Sequence, residues 1–206
     1  LVVGFEPNFY WRAFVEELSS YAESLGAKTL VCLRSFPGSV PHTRPAPILI
    51  NASDVELELQ FGVQSRGSRY EGPTDVVGVL AARVQQLRWR TVDLTVLQPY
   101  YFPRMPNSAA MLSLIRVLDH GFGTKTPTRE LEDSLGEQLQ AIEEEVAGSG
   151  ETQSAIVELE RQYDAGAARM DFLAGAGESD ANLPSGEEVI REIERLFREG
   201  GSGPES

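Results

Sequence analysis

Cysteine and histidine are scarce in this chain of 206 residues, which contains one cysteine and two histidines. Because Cys32 has no second cysteine to pair with, no disulfide can form within the chain, and a reducing, cytoplasmic setting is expected. A structural zinc site takes about four cysteine or histidine ligands, which is more than the chain contains. We therefore expect no structural zinc site. No other metal and no cofactor is expected either.

Long apolar runs are missing as well. No stretch approaches the roughly 20 apolar residues that cross a bilayer, and no basic segment followed by an apolar one marks a signal peptide. Three common catalytic motifs are absent: the P-loop, the GxGxxG turn after a strand, and the GxSxG nucleophile elbow. Residues 121–126 contain a Lys-Thr pair but lack the glycine spacing of a P-loop. These absences argue against an enzyme without excluding one.

Charge is divided unevenly along the chain, whose net charge is −13. Residues 1–126 carry 11 acidic and 12 basic side chains, whereas residues 127–206 carry 20 acidic and 6 basic ones. Nucleic-acid binding needs a basic surface that neutralises phosphates, so we expect no nucleic acid among the partners. The division predicts a near-neutral body followed by an acidic, helical appendage.

The beginning of the chain reads as strand, helix and strand. Residues 1–5 are apolar and predict a short buried strand, and Asn8 is the expected N-cap of a helix over residues 9–25. Gly26 is expected to end that helix, and a second strand is predicted over residues 28–33. A strand–helix–strand unit is typical of a parallel sheet with helices on its faces, so the predicted fold class is α/β.

The rest of the chain continues this pattern and then becomes helical. Short strands are predicted over residues 48–50 and 91–97. The helices of the body are expected to begin at Ser53 or Asp54, at Thr74 or Asp75, and at Asn107 or Ser108. Two acidic helices with apolar residues at every third or fourth position, over residues 131–146 and 156–170, predict an antiparallel hairpin.

These patterns divide the chain into three parts. An α/β body is expected over residues 1–126 and a helical hairpin over residues 127–174. Residues 175–206 are expected to hold a linker, a short amphipathic helix and a disordered tail.

A proline-rich segment, here called the proline loop, follows the second predicted strand. It consists of residues 39–47, with the sequence Ser-Val-Pro-His-Thr-Arg-Pro-Ala-Pro. Proline fixes its own φ and pushes the preceding residue into extended backbone, which predicts a stiff, non-helical segment. Loops that leave a buried strand often carry functional groups in α/β proteins. The simpler interpretation is that His42 and Arg44 only hydrogen-bond to neighbouring backbone.

Polar side chains of other loops could meet the proline loop. If Glu6, His42, Arg44 and Glu71 converge, they form a polar pocket with an acid–base pair; otherwise they are separate caps and loop ties. A glycine-rich stretch, residues 67–74, either holds an anion at the following helix or forms an ordinary turn. Aromatic side chains are enriched at subunit interfaces. The candidate interface residues are Trp11, Tyr100, Tyr101 and Phe102.

Four short motifs follow one another in a recognisable order. They are Glu6-Pro7 with Trp11-Arg12-Ala13-Phe14, then Val40-Pro41-His42-Thr43-Arg44-Pro45, then Tyr70-Glu71-Gly72-Pro73-Thr74, then Pro99-Tyr100-Tyr101. Together they resemble the proteasome assembly chaperone 2 family, most closely its actinobacterial and archaeal members. Leu159-Glu160-Arg161-Gln162-Tyr163-Asp164 resembles the closing helix of that family. The motif residues taken as candidate site residues are Glu6, His42, Thr43, Arg44, Tyr70, Glu71, Gly72 and Thr74.

The resemblance implies a three-layer α/β/α fold similar to phosphorylase/hydrolase-like proteins, and leading strands that lie before Leu1. Family members are described as homo-oligomers, and the family carries no established catalytic residues. Eukaryotic relatives assist the assembly of proteasome α-rings, and archaeal relatives bind proteasomes through a C-terminal hydrophobic–tyrosine–any motif. This chain ends in Gly203-Pro204-Glu205-Ser206, so docking through that motif is not expected.

Three functional hypotheses result. The first is a non-enzymatic, cytoplasmic, assembly-chaperone-like protein that acts through oligomeric protein–protein surfaces. It is expected to be a homo-oligomer, with a trimer as one form, and to have a proteasome-related partner and no membrane contact. The second is a protein or enzyme that binds a phosphorylated or nucleoside-like compound beside the proline loop. In the third, the acidic hairpin is itself a partner-binding arm.

Overall fold

Three strands form one sheet in the computed structural model, which describes residues 3–63, 75–101 and 106–165. They are β1 (Thr29–Gly38), β2 (Ile48–Ala52) and β3 (Arg90–Pro99). The central strand is β3, to which β1 is parallel and β2 antiparallel. The described helices are α1 (Trp11–Ser24), α2 (Val55–Phe61), α3 (Val76–Gln86), α4 (Ser108–Phe122), α5 (Arg129–Val146) and α6 (Gly150–Asp164). None of these helices is long and apolar enough to cross a bilayer.

Helices cover both faces of β3, because its side chains alternate between two environments. Val92, Leu94 and Val96 are at most 1% exposed and belong to the apolar core that also contains residues of α2 and α4. On the opposite face, Arg34 donates to the Asp93 carboxylate. Arg34 also pairs with Asp75, the N-cap of α3. Helix α1 packs on α3. The predicted α/β class and three-layer arrangement are confirmed.

Three of the predicted helix starts are confirmed at the level of single side chains. Asp54 accepts the N–H of Leu57 at 3.1 Å, Asp75 that of Gly78 at 2.7 Å, and Asn107 that of Ala110 at 2.9 Å. Each bond satisfies one of the backbone donors that a helix leaves open at its N-terminus. Gly26 lies just after α1 with a φ of 83°, as its expected role requires.

The prediction for residues 1–8 is wrong where the structure describes them. Residues 3–5 are not in a strand, and Val3 and Phe5 are 83% and 100% exposed. A strand needs a neighbour for its backbone hydrogen bonds, and no described strand pairs with this segment. Asn8 is not the N-cap of α1. The indole N–H of Trp11 binds the carbonyl of Pro7, and Tyr10, with a φ of 59°, stands at the helix start.

Two further expectations are corrected. The strand predicted over residues 28–33 continues to Gly38, and it includes Pro37. Proline is tolerated there because β1 lies at an edge of the described sheet, where a missing N–H breaks no ladder. The sheet is mixed rather than parallel, since the nine residues of the proline loop are too few for a parallel crossover from β1.

The two acidic helices are present as α5 and α6, and residues 147–149 connect them. Ser149 caps α6 by accepting the N–H of Thr152 at 3.3 Å. The described residues belong to one compact unit, Leu1–Arg169, and the division at residues 126 and 174 stays a prediction. The glycine-rich stretch of residues 67–74 and the last predicted part, residues 175–206, lie outside the described residues.

Replacing Asn107 with alanine is expected to lower the free energy of unfolding by about 1 kcal/mol, since α4 loses its cap. Asn8→Ala is the matched control, because Asn8 is exposed and caps no helix. It should change stability by less than about 0.5 kcal/mol. Urea unfolding of both variants provides the measurement, and equal losses would contradict the assignment of the cap.

Candidate functional site

The proline loop is held against the end of β3 by backbone hydrogen bonds at its last residue and at the residue that precedes the loop. The N–H of Leu97 donates to the carbonyl of Pro47 at 2.9 Å, and the N–H of Tyr100 donates to that of Gly38 at 3.2 Å. Between these ties, Val40 is 2% exposed and Ala46 is 9% exposed. The loop therefore has buried apolar anchors, while its polar residues lie between them at residues 42–44.

His42 is paired with Tyr101, which follows β3. The Tyr101 hydroxyl accepts the backbone N–H of His42 at 2.9 Å and lies 2.9 Å from its Nδ1 atom. The two rings meet edge to face, with centroids 5.8 Å apart. The hydroxyl can donate to Nδ1 only when the imidazole is neutral and Nδ1 carries no proton.

Burial lowers the pKa of His42 below its ordinary value of 6.5, against the opposing influence of Glu143 and Glu160. Burial also raises the pKa of the Tyr101 phenol. Both shifts favour the neutral forms that the hydrogen bond needs. The pair is therefore suited to fixing the loop rather than to carrying charge at neutral pH.

Thr43, Arg44 and Pro45 bind α6, and this set of contacts is here called the α6 clasp. Arg44 Nε and Nη2 donate to the two carboxylate oxygens of Asp164 at 3.0 and 2.8 Å. The Thr43 hydroxyl donates to the Glu160 carboxylate. The Tyr163 hydroxyl donates to the carbonyl of Pro45 at 2.9 Å. The planar guanidinium is suited to such two-point recognition, and its hydrogen bonds lower the pKa of Asp164.

A small cavity lies between the proline loop and α5. Its volume of about 30 Å³ has room for about two water molecules and is far below the ~300 Å³ of small ligand pockets. The amide group of Gln138, which lines the cavity, is already hydrogen-bonded. Its Oε1 accepts the Ser108 N–H at 3.0 Å, and its Nε2 donates to the Pro106 carbonyl at 2.6 Å. The lining residues include Val40, Pro41, His42, Pro99, Leu139 and Ile142.

A second charged cluster lies on the other face of the sheet, at the start of α3. Arg34 donates to Asp93 at 2.6 Å and also pairs with Asp75. Burial raises the pKa of the neighbouring Cys32 thiol to about 11. A thiol with so high a pKa is unreactive at neutral pH. Among the described residues, no group of three or more His, Cys, Asp or Glu could hold a metal ion.

The remaining candidate residues fall in different places. Glu6 accepts the N–H of Val76 at 3.1 Å, at the start of α3, and has no hydrogen bond to the proline loop. Trp11 is tied to Pro7, and Tyr100 is 52% exposed beside Tyr101. The structure thus brings together His42, Thr43 and Arg44. The candidates Tyr70, Glu71, Gly72, Thr74 and Phe102 lie outside the described residues.

Sequence reasoning gave no role to the residues of α6 that bind the loop. Glu160 and Asp164 are four positions apart, and this spacing places them on one helix face. Two carboxylates at that spacing indicate that one basic side chain could bind both of them. The spacing could not name Arg44, which lies 120 positions from Asp164 in the sequence.

Comparisons with known proteins identify the family of the chain. The model of the PAC2 family matches residues 1–147. The chain belongs to the PAC2 family. This confirms the family resemblance that the four motifs indicated. No curated protein matches the sequence.

Several solved structures are similar to this PAC2 protein. A Corynebacterium glutamicum protein of unknown function is 26% identical with a TM-score of 0.73, over 79% of this chain and 60% of that one. A Mycobacterium tuberculosis protein of unknown function is 30% identical with a TM-score of 0.72, over 79% and 54%. A proteasome-assembly chaperone homologue of M. tuberculosis is 30% identical with a TM-score of 0.64, over 74% and 64%. The chain thus spans less than two thirds of the length of these relatives.

Removing the Tyr101 hydroxyl, in Tyr101→Phe, is expected to cost about 1–2 kcal/mol of folding stability. The change leaves the half-buried His42 N–H without its acceptor and keeps the edge-to-face ring contact. Tyr21→Phe is the control, because Tyr21 is 56% exposed and removing its hydroxyl should change stability little. Thermal unfolding of the two variants measures the difference, and a neutral Tyr101→Phe would refute the structural role of the hydroxyl.

The same pair predicts a pH dependence. The folded-state pKa of His42 is lowered, so its contribution to stability is complete above the pKa of the unfolded chain and is lost as pH falls from that value through the lower folded-state pKa. Between about pH 7 and about pH 5, the free energy of unfolding should therefore fall more steeply in the wild-type protein than in His42→Gln. Urea unfolding at a series of pH values gives the two slopes, and identical slopes would disprove the assignment.

Proposed function

We propose that this PAC2 protein is a cytoplasmic, non-enzymatic assembly chaperone that acts on proteasome-related partners through protein–protein surfaces. The family match over residues 1–147 carries the proposal, and the likeness to a proteasome-assembly chaperone homologue supports it. In this proposal the protein acts as a homo-oligomer. Trp11 and the exposed ring of Tyr100 are candidates for its subunit interface.

The chemistry of the proline loop fits this role better than small-molecule binding. Arg44 and Thr43 are used in holding α6, and His42 is paired with Tyr101. The cavity beside them, at about 30 Å³, does not admit a nucleoside-sized compound. The loop residues therefore act as structural ties beneath a surface that other proteins contact.

Affinity capture of the tagged, full-length protein from its native cell tests the proposal. We expect proteasome subunits or an assembly intermediate in the eluate, and an oligomer in analytical ultracentrifugation. Tyr100→Ala should reduce recovery or oligomer size, whereas Val157→Ala, at a similarly exposed site on α6, should not. If neither a proteasome subunit nor any other stable partner is recovered, the proposed function is wrong.

A further inference from the structure

Among the described residues, the hydrogen bonds that join α6 to the α/β body converge on three consecutive residues of the proline loop. Thr43 binds Glu160, Arg44 binds Glu160 and Asp164, and Pro45 accepts from Tyr163. Within the described part of the chain, the other side-chain hydrogen bonds of α6 stay within the helix, involve its N-cap Ser149 or reach the end of α5, where Gln153 donates to the Val146 carbonyl at 3.4 Å. The attachment of α6 to the body is therefore local.

The residues of α6 that make this attachment form one recognition face. Positions 156, 159, 160, 163 and 164 share a side of the helix, because they repeat at intervals of three and four. Two of them, Ile156 and Leu159, are apolar and at most 8% exposed. Val157, which points away, is 62% exposed. The face thus combines two buried apolar residues with two carboxylates and a tyrosine hydroxyl.

The polar half of the attachment is accessible to water and salt. The side chains of Arg44, Glu160 and Asp164 are 32%, 26% and 55% exposed. Ion pairs at such positions are weak and are screened by salt over about 10 Å at 0.1 M. The clasp can therefore open at a lower cost than the sheet, whose central residues Val92 and Leu94 are fully buried.

We propose that residues 43–45 form a helix-binding site, which α6 fills in this structure and which an amphipathic helix of a partner protein fills when α6 detaches. The partner helix carries the pattern of α6: apolar residues at i and i+3 and carboxylates at i+4 and i+8. Arg44 supplies the complementary charge by binding two carboxylates one turn apart. The partner half of this inference rests on the proposed function, whereas the detachment of α6 does not.

Hydrogen exchange of the full-length protein tests the detachment. Arg44→Gln should raise the exchange rate of α6 amides at least tenfold and leave α4 amides unchanged. The charge reversal Arg44→Asp combined with Asp164→Arg and Glu160→Gln should restore slow exchange, since an unchanged Glu160 would repel the introduced carboxylate. Arg161→Gln is the control, because Arg161 pairs with Glu158 within α6 and not with the loop. Unchanged α6 exchange in Arg44→Gln, or equal acceleration in α4, would overturn the proposed detachment of α6.

A labelled peptide of residues 150–165 tests the helix-binding site itself. It should bind the full-length Glu160→Gln/Asp164→Asn protein at least tenfold more tightly than wild type, whose own α6 competes. Binding should be lost when Arg44→Gln is added, and also with a peptide whose two carboxylates are amides. Absence of binding, or equal binding of both peptides, refutes the site. If the peptide binds but affinity capture finds no partner, the site stands and the proposed function fails.

Discussion

The Gly121→Ala variant is expected to lose about 3 kcal/mol of folding stability, although alanine is the better helix former. Gly121 lies in the last turn of α4, where an added Cβ atom would overlap the ring of Phe61. Phe61 is 2% exposed and packs edge to face on Phe122, with ring centroids 5.5 Å apart. The ring cannot move aside without disturbing the apolar core between α2 and α4.

Gly136→Ala is the matched control for this prediction. Gly136 lies in the middle of α5, and nothing would lie within 4 Å of its added Cβ atom. The control is expected to gain up to about 1 kcal/mol, because alanine restricts the unfolded chain and favours the helix. Chemical denaturation of the two variants gives opposite signs if the packing of α2 on α4 is as described. A Gly121→Ala protein as stable as wild type would disprove that packing.

Features set by neighbouring residues could be predicted from the sequence. The caps Asp54, Asp75 and Asn107 each bind a backbone N–H three positions later, so a short motif contains all the information. The class of the fold follows in the same way from apolar periodicity. The start of α1 was not predicted correctly. Asn8 was the expected cap, but the indole of Trp11 binds Pro7 and the helix begins after Tyr10.

The candidate site was predictable only in part. The proline loop is recognisable from its composition, because its prolines make it stiff without help from the rest of the chain. The role of Arg44 depends on a helix that lies 116 to 120 positions later in the chain. No local rule connects such residues, whose meeting depends on the packing of α5 and α6. The charged cluster of Arg34 and Asp93 was missed for the same reason, since its residues are 59 positions apart.

The α6 clasp and the His42–Tyr101 pair stabilise different parts of the same loop. The pair ties the loop to the residues that follow β3, and its hydrogen bonds are sheltered by half-buried rings. The clasp ties it to α6 through side chains that water reaches. A change of salt should therefore act on the attachment of α6 and leave the loop in place. This separation is what the proposed detachment of α6 requires, since the loop stays tied to β3 when the clasp opens.

Truncating Leu94 to alanine is expected to cost about 3–4 kcal/mol, because the side chain is fully buried at the centre of β3. It belongs to the core cluster formed with Ile50, Leu57 and Phe61, so the cavity left behind cannot fill with water. Leu59→Ala is the control, with the same chemical change at a position that is 74% exposed. It should cost less than about 0.5 kcal/mol.

The measurement for Leu94→Ala is equilibrium unfolding in urea, combined with hydrogen exchange of the amides of Leu97, Gln98, Tyr100 and Tyr101. Strand β3 ends at Pro99, and the hydroxyl that anchors His42 follows two residues later, on Tyr101. A weakened core should therefore speed exchange at the base of the proline loop as well as in the sheet. Because the α6 clasp is made outside this core, α6 amides should follow the global change and show no additional acceleration. If Leu94→Ala and Leu59→Ala lose equal stability, β3 is not the central strand on which the loop is built.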